Sequence, residues 1–236
     1  MKRRSFVLGA FGFPWFFRRH YVELCGLHFH VLRHGDGPHR YLRIHGDETT
    51  AAEVLTAYLK DHPGIGYSVT NTKRNVEIEG LRIDPNRFFS RAGAEKSLGN
   101  LNDGADAAQI SRVLDFLDRE RPKLLARLIP PAGGRMFALH NNRDYSVEDE
   151  LAASDETSIR QPDLPRNFFL CTRVEDYNIL KESPYNVVLQ KQAEPDDGSL
   201  SRLFARRGLR YINLECAIGA YDAQMERVRW LEDHLG

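Results

Sequence analysis

Disulfide chemistry has little to work with in this chain. Three cysteines in 236 residues, Cys25, Cys171 and Cys216, are odd in number and share no Cys-x-x-Cys spacing, which argues against a disulfide framework. Cys171 in "NFFLCTR" and Cys216 in "NLECAIG" fall in apolar, strand-like runs, where a free thiol acts as a small hydrophobe. Net charge is lacking too. Thirty-three basic residues offset 33 acidic ones, so no global field draws the chain to nucleic acid or to an anionic membrane. Local pairs such as Arg206-Arg207 read as solvated surface. A stable membrane span is also missing: the apolar run in "MKRRSFVLGAFGFPWFF" is about a dozen residues, against the ~20 that a bilayer requires. Internal repeats, coiled-coil heptads and low-complexity tracts are absent.

What is present is ordinary for a globular protein: 42% hydrophobic and 28% charged residues, in a length that suits one sizeable core. The N-terminus stands apart. Arg3-Arg4 before Phe6, Val7 and Leu8 resembles a twin-arginine export signal, an address read by a receptor rather than an anchor. No small-x-small cleavage site follows, and Arg18-Arg19 lie just beyond the apolar run; the plainer alternative is a segment packed on the fold. Residues 1–26 are therefore separated as an N-terminal segment and residues 27–236 as one domain. The expected location is the cytoplasm, or the periplasm if the signal is used.

From Leu27 onward, strand-like and helix-like pieces alternate. "LHFHVLRHGDGPHRYLRI" predicts a hairpin closed by Gly-Asp-Gly-Pro. "TTAAEVLTAYLKDH" predicts a helix with Thr49 as its cap. "GYSVTNTKRNVEIEGLRI" is strand-rich, and "AEKSLGNLNDG" reads as loop. "DAAQISRVLDFLDRERPKLLARLI" is the clearest amphipathic helix, broken or kinked at Pro122. "GGRMFALHNN", "FFLCTR", "NVVLQ" and "RYINLECAIG" predict buried strands, with helical patterns at 174–182, 199–207 and 220–235. The polar stretch 143–167 reads as a long surface loop, of a length that is often functional. Such alternation implies an α/β fold: a mixed, mostly parallel sheet with helices on both faces.

In sheets of this kind, functional groups gather where strands end. Three predicted strands end on suitable residues. The first runs into His45-Gly46-Asp47-Glu48, the second into His140-Asn141-Asn142, and the third carries Glu215 among apolar neighbours. Two imidazoles and a carboxylate form a three-ligand zinc set with one open position, the arrangement of catalytic sites. A buried carboxylate such as Glu215 has its pKa raised toward the range of a general base unless a cation pairs with it. In "IDPNRFF", Asn86 and Arg87 suit a carboxylate, because a planar guanidinium offers two parallel donors; the segment also suits a simple turn.

The order His-x-x-Glu, Asp-x-Asn-Arg, His and a late Glu resembles the zinc carboxypeptidase superfamily, including its aspartoacylase and succinylglutamate desuccinylase branch. "IHGDE", "DPNRFF", "ALHNN" and "NLECAIG" are the four islands that carry the resemblance, within roughly residues 40 to 235. The resemblance implies Zn2+ held by His45, Glu48 and His140, a substrate carboxylate held by Asn86 and Arg87, and Glu215 as general base. Pro85 replaces the leucine of the family segment. Arg74 is the candidate for the arginine that polarises the carbonyl, and none of Tyr177, Tyr185 or Tyr221 has the context of the family's mobile tyrosine. The expected activity is hydrolysis of an amide bond next to a free carboxylate, in a peptide or an acyl amino acid. The alternative is a metal-stabilised module that binds carboxylate-ended peptides without cutting them.

Overall fold

The computed structural model describes residues 18–191 and 195–236; the twin-arginine segment therefore lies outside the described residues. The chain begins with β1 (Arg18–Leu24), β2 (Leu27–His34) and β3 (Arg40–Arg43), followed by α1 (Thr49–Tyr58) and β4 (Gly64–Val69). A small two-stranded sheet, β5 (Val76–Ile78) and β6 (Leu81–Ile83), leads through a 3-10 turn at Pro85–Arg87 into α2 (Arg91–Leu101) and α3 (Ala107–Leu128). Then come β7 (Met136–Asn142), a 3-10 helix at Val147–Ala153, β8 (Ser154–Ser158) and β9 (Phe168–Cys171). The chain finishes with α4 (Val174–Leu180), β10 (Asn186–Gln190), α5 (Leu200–Arg206), β11 (Tyr211–Ala217) and α6 (Tyr221–Leu235).

Nine strands form one mixed sheet in the order β1-β2-β4-β3-β7-β11-β9-β10-β8. Its centre, β4-β3-β7-β11, is parallel throughout, and the antiparallel pairings lie toward the flanks. Both faces are covered, as the alternating pattern implies. One core packs α2, α3 and α5 against side chains such as Met136, Ala138 and Tyr211. The other packs α1, α4 and α6 against Phe137, Leu139, Ile212 and Leu214. The side chains of β7 and β11 thus divide by the period of two between the two layers. All three cysteines are free and buried, as the apolar context of Cys171 and Cys216 suggests.

Four local expectations need correction. β2 and β3 do not form a hairpin, because β4 lies between them, antiparallel to β2 and parallel to β3. Tyr41 and Leu42 are both fully buried, so β3 is an interior strand that needs a neighbour on each side. The "AEKSLGNLNDG" stretch is mostly helix: Ser90 Oγ accepts from the Gly93 amide at 3.0 Å, and Ala94 and Leu98 bury one face. That cap and packing override the weak helix propensity of Gly99 and Asn100. α3 runs unbroken past Pro122, which sits on its exposed face between the buried Leu117 and Leu124. The stretch 143–167 is only partly loop, since it contains the 3-10 helix and the edge strand β8.

Candidate metal centre

The parallel strands β3, β7 and β11 all end at one edge of the sheet, and the predicted site residues meet there. Direct pairing of β7 with β11 sets His140 beside Glu215 in register. His140, Asn142, Asn213 and Glu215 sit at positions of one parity on their strands, so they share a face. From the neighbouring strand, β3 leads through Ile44 into the loop that carries His45 and Glu48.

That loop is held from several sides. Arg43 is buried and donates from Nε to Ser68 Oγ at 2.9 Å and from NH1 to the Gly46 carbonyl at 3.1 Å. The Gly46 amide donates to the Lys73 carbonyl at 3.1 Å. A Cβ on Gly46 would lie 2.4 Å from the Asn71 carbonyl oxygen. Glycine is needed here for close backbone approach, and not for an unusual φ. Thr49 is the first residue of α1 rather than its cap. Glu48 occupies the cap position but makes no side-chain cap bond. The helix start is served from across the sheet, where the Ala51 amide donates to Asn141 Oδ1 at 2.7 Å. The Glu48 carboxylate is thereby left to face inward.

His45, Glu48 and His140 are all buried, and their ligand atoms lie within 4.8 Å of one another. Glu48 Oε1 is 2.9 Å from His45 Nδ1 and 3.1 Å from His140 Nδ1. Glu48 Oε2 is buried without a hydrogen-bond partner among the described residues. Donors about 2 Å from one ion would stand about 3.3 Å apart in a tetrahedral set; two of the three separations already match. Two imidazole nitrogens, a carboxylate and one orphaned carboxylate oxygen fit a divalent metal ion, so this cluster can hold one. Its binding would displace the protons that now join the imidazoles to Glu48.

The electrostatics follow from burial and pairing. Burial alone would lower the His45 pKa, but the Glu48 and Asp84 carboxylates hold it up at about 9. Burial would raise Glu48, yet His140 and His45 bring it down to about 2. In the sequence, Asp84 figures only as the first residue of the Asp-x-Asn-Arg segment and as part of a turn, without a role of its own. Its Oδ1 lies 2.9 Å from His45 Nε2 and also accepts from the Asn86 amide at 2.8 Å. A carboxylate on the far nitrogen fixes a ligand imidazole's orientation and tautomer. The available signal was its place two residues before Asn86, at the end of a strand.

Glu215 is buried, and burial is the main cause that raises its pKa; Glu48 raises it further and His140 opposes. Asn142 Nδ2 donates to Glu215 Oε2 at 3.0 Å and Asn213 Nδ2 to Oε1 at 3.1 Å, so its orientation is fixed. Arg74 is half exposed, with NH1 3.7 Å from Glu48 Oε1 and NH2 4.0 Å from Asp84 Oδ2. Asn86 and Arg87 line the same cavity of about 500 Å³ as the triad and Glu215. Asn86 Oδ1 accepts from the Leu200 amide at 3.3 Å, and Arg87 faces Asp197 at 3.5 Å. Tyr177 and Tyr185 are buried in the core on the opposite face. The tyrosines on the cavity wall are Tyr145 and Tyr211, which local sequence context did not distinguish. The 143–167 stretch supplies Arg143, Asp144, Tyr145 and Glu150 to that wall.

No protein-family profile matches the chain, and no curated protein matches it. A solved structure does resemble it: a candidate metallopeptidase from Shewanella amazonensis SB2B, at 10% identity over 92% of this chain and 87% of that one, with a TM-score of 0.39. At that score the shared backbone is too slight for one protein to inform the other. Among the described residues, no helix is long and apolar enough to cross a membrane.

Proposed function

We propose that the protein is a zinc-dependent hydrolase of an amide bond adjacent to a free carboxylate, in a peptide or an N-acyl amino acid. The observation that carries this reading is the convergence of His45, Glu48 and His140 beside a separate buried carboxylate, Glu215, in one cavity. His45, Glu48 and His140 would hold the zinc; when bound, it supplies a Lewis acid that polarises the scissile carbonyl and makes water acidic near neutral pH.

The remaining work falls to the chain. Glu215, with its proton affinity raised by burial, takes a proton from the attacking water and returns it to the leaving amine, so that a C–O bond forms as the C–N bond breaks. Asn142 and Asn213 keep that carboxylate aimed by donating to its two oxygens. Arg87 and Asn86 hold the substrate carboxylate, with Arg87 exchanging Asp197 for it. Arg74 stands beside the triad, where negative charge develops on the carbonyl oxygen.

The test is metal content of protein purified without chelators, together with hydrolysis of N-acetyl amino acids and short peptides. About one zinc per chain, and turnover that Glu215→Gln lowers by roughly 10³, are expected. Undiminished activity in Glu215→Gln would remove Glu215 from the mechanism. Tight peptide binding with no turnover would assign the cavity to a binding module instead.

A further inference from the structure

A second cavity of about 510 Å³, as large as the one at the candidate metal centre, lies on the other side of residues 70–75, the segment that joins β4 to β5. The inner side of this segment holds the loop that carries His45 and Glu48. The Lys73 carbonyl accepts from the Gly46 amide at 3.1 Å, the Asn71 backbone closes against Gly46, and Arg74 stands 3.7 Å from Glu48. On the outer side, Thr70, Thr72 and Lys73 line the second cavity. Lys73 and Arg74 are thus neighbours in sequence that serve opposite cavities. β2 and the small sheet complete the outer one, with His28 and Arg82 among its polar groups and the buried Leu27 and Val76 among its apolar ones. The Thr70 amide donates to the His28 carbonyl at 2.9 Å and fastens the segment to β2.

The charges of this cavity are unbalanced. Glu77 is its one carboxylate among the described residues, and it lies opposite Arg82 in the β5–β6 register. Arg82 NH2 donates to the Leu101 carbonyl at 2.7 Å, which anchors the guanidinium at the rim. Neither Lys73 nor Arg82 forms an ion pair with any described residue. An ammonium and a guanidinium beside two threonine hydroxyls are donors suited to a tetrahedral oxyanion, which offers several acceptor oxygens to one group of donors. We propose that this cavity binds a phosphate monoester, and that its occupancy is felt at the loop carrying His45 and Glu48 through the Lys73–Gly46 bond.

Amide NMR titration of the protein as purified, with glycerol 3-phosphate as the probe, tests both halves without requiring turnover. Shifts at His28 and at residues 70–75 are expected, with the Gly46 amide moving at the same midpoint. Lys73→Gln should weaken binding by about tenfold or more, as the loss of a charge-assisted hydrogen bond does, and Lys73→Arg should keep most of it. Adding Arg82→Gln should weaken it further; thermal melts confirm that the variants fold. Shifts centred on His140 and Glu215, with affinity unchanged in Lys73→Gln, would place the phosphate at the metal centre and overturn the site. Succinate binding as tightly as the ester overturns the phosphate class. Binding only to vesicles of phosphatidic acid in phosphatidylcholine, and not to the soluble ester, overturns the small-molecule assignment. A Gly46 amide that stays still while residues 70–75 shift overturns the link to the metal loop.

Discussion

The strands β7 and β11 have a buried carboxylate cluster at each end, and the two clusters are built on opposite principles. At the amino ends, Asp176 of α4 is wholly buried and is met by two guanidiniums. Arg135 Nε donates to Oδ1 at 2.9 Å and Arg210 Nε to Oδ2 at 3.0 Å. Arg135 also reaches the Leu235 carbonyl and so ties down the end of α6. Every charge there has a fixed partner. At the carboxyl ends, Glu48 and Glu215 face imidazoles and amides, with a guanidinium only at 3.7 Å from Glu48, on the half-exposed Arg74, and Glu48 Oε2 has no donor among the described residues. On the proposed function, the groups whose partners can exchange protons, or be replaced by a metal, serve the chemistry, and the carboxylate locked to guanidiniums serves the scaffold.

The comparison breaks most readily at its two extremes. Glu215→Gln is expected to lower kcat by roughly 10³ while zinc content per chain stays the same, measured by steady-state kinetics and metal analysis. An Asp176→Asn variant with an equal fall in kcat would show that the two ends do not differ as described. Asp176→Ala leaves Arg135 and Arg210 facing an uncompensated site, and should cost about 3–5 kcal/mol of unfolding free energy in denaturant titrations. The kcat of its folded fraction should be unchanged.

pH sharpens the contrast. In metal-free protein the His45 pKa stands near 9 against an ordinary 6.5. The stability from its charged form is therefore complete below about pH 6.5 and lost as pH rises through 9, up to ~3 kcal/mol. Glu48, held near 2 against 4.5, contributes above about pH 4.5 and loses that contribution as pH falls toward 2. Chemical denaturation of the metal-free protein from pH 6 to pH 9.5 should show the decline, and His45→Gln should flatten it. A slope that survives in His45→Gln would place its origin elsewhere. The smallest effect is expected from Asp84→Asn, a weakening of zinc affinity by about 10–100-fold, read by competition with a chelator.

Much of the candidate site was legible because its residues lie in short, ordered islands. His45 and Glu48 are three apart on a loop after a strand, and the endings of two later strands supply His140 and Glu215. Asp84 was hidden inside an ordinary turn signal, since nothing local says that its carboxylate reaches His45 across 39 residues. The false hairpin of β2 and β3 has a similar cause: alternation marks a strand but does not name its neighbours.

By itself, the sequence determined the class of fold and the chemical types gathered at the strand ends, because hydrophobic period and residue chemistry are local properties. Tertiary structure alone decided that β4 separates β2 from β3, that His140 lies in register with Glu215, and that Asp84 backs His45. Those facts are contacts between segments far apart in the chain. Burial, pKa and the pairing of charges depend on which segments meet, and only packing settles that.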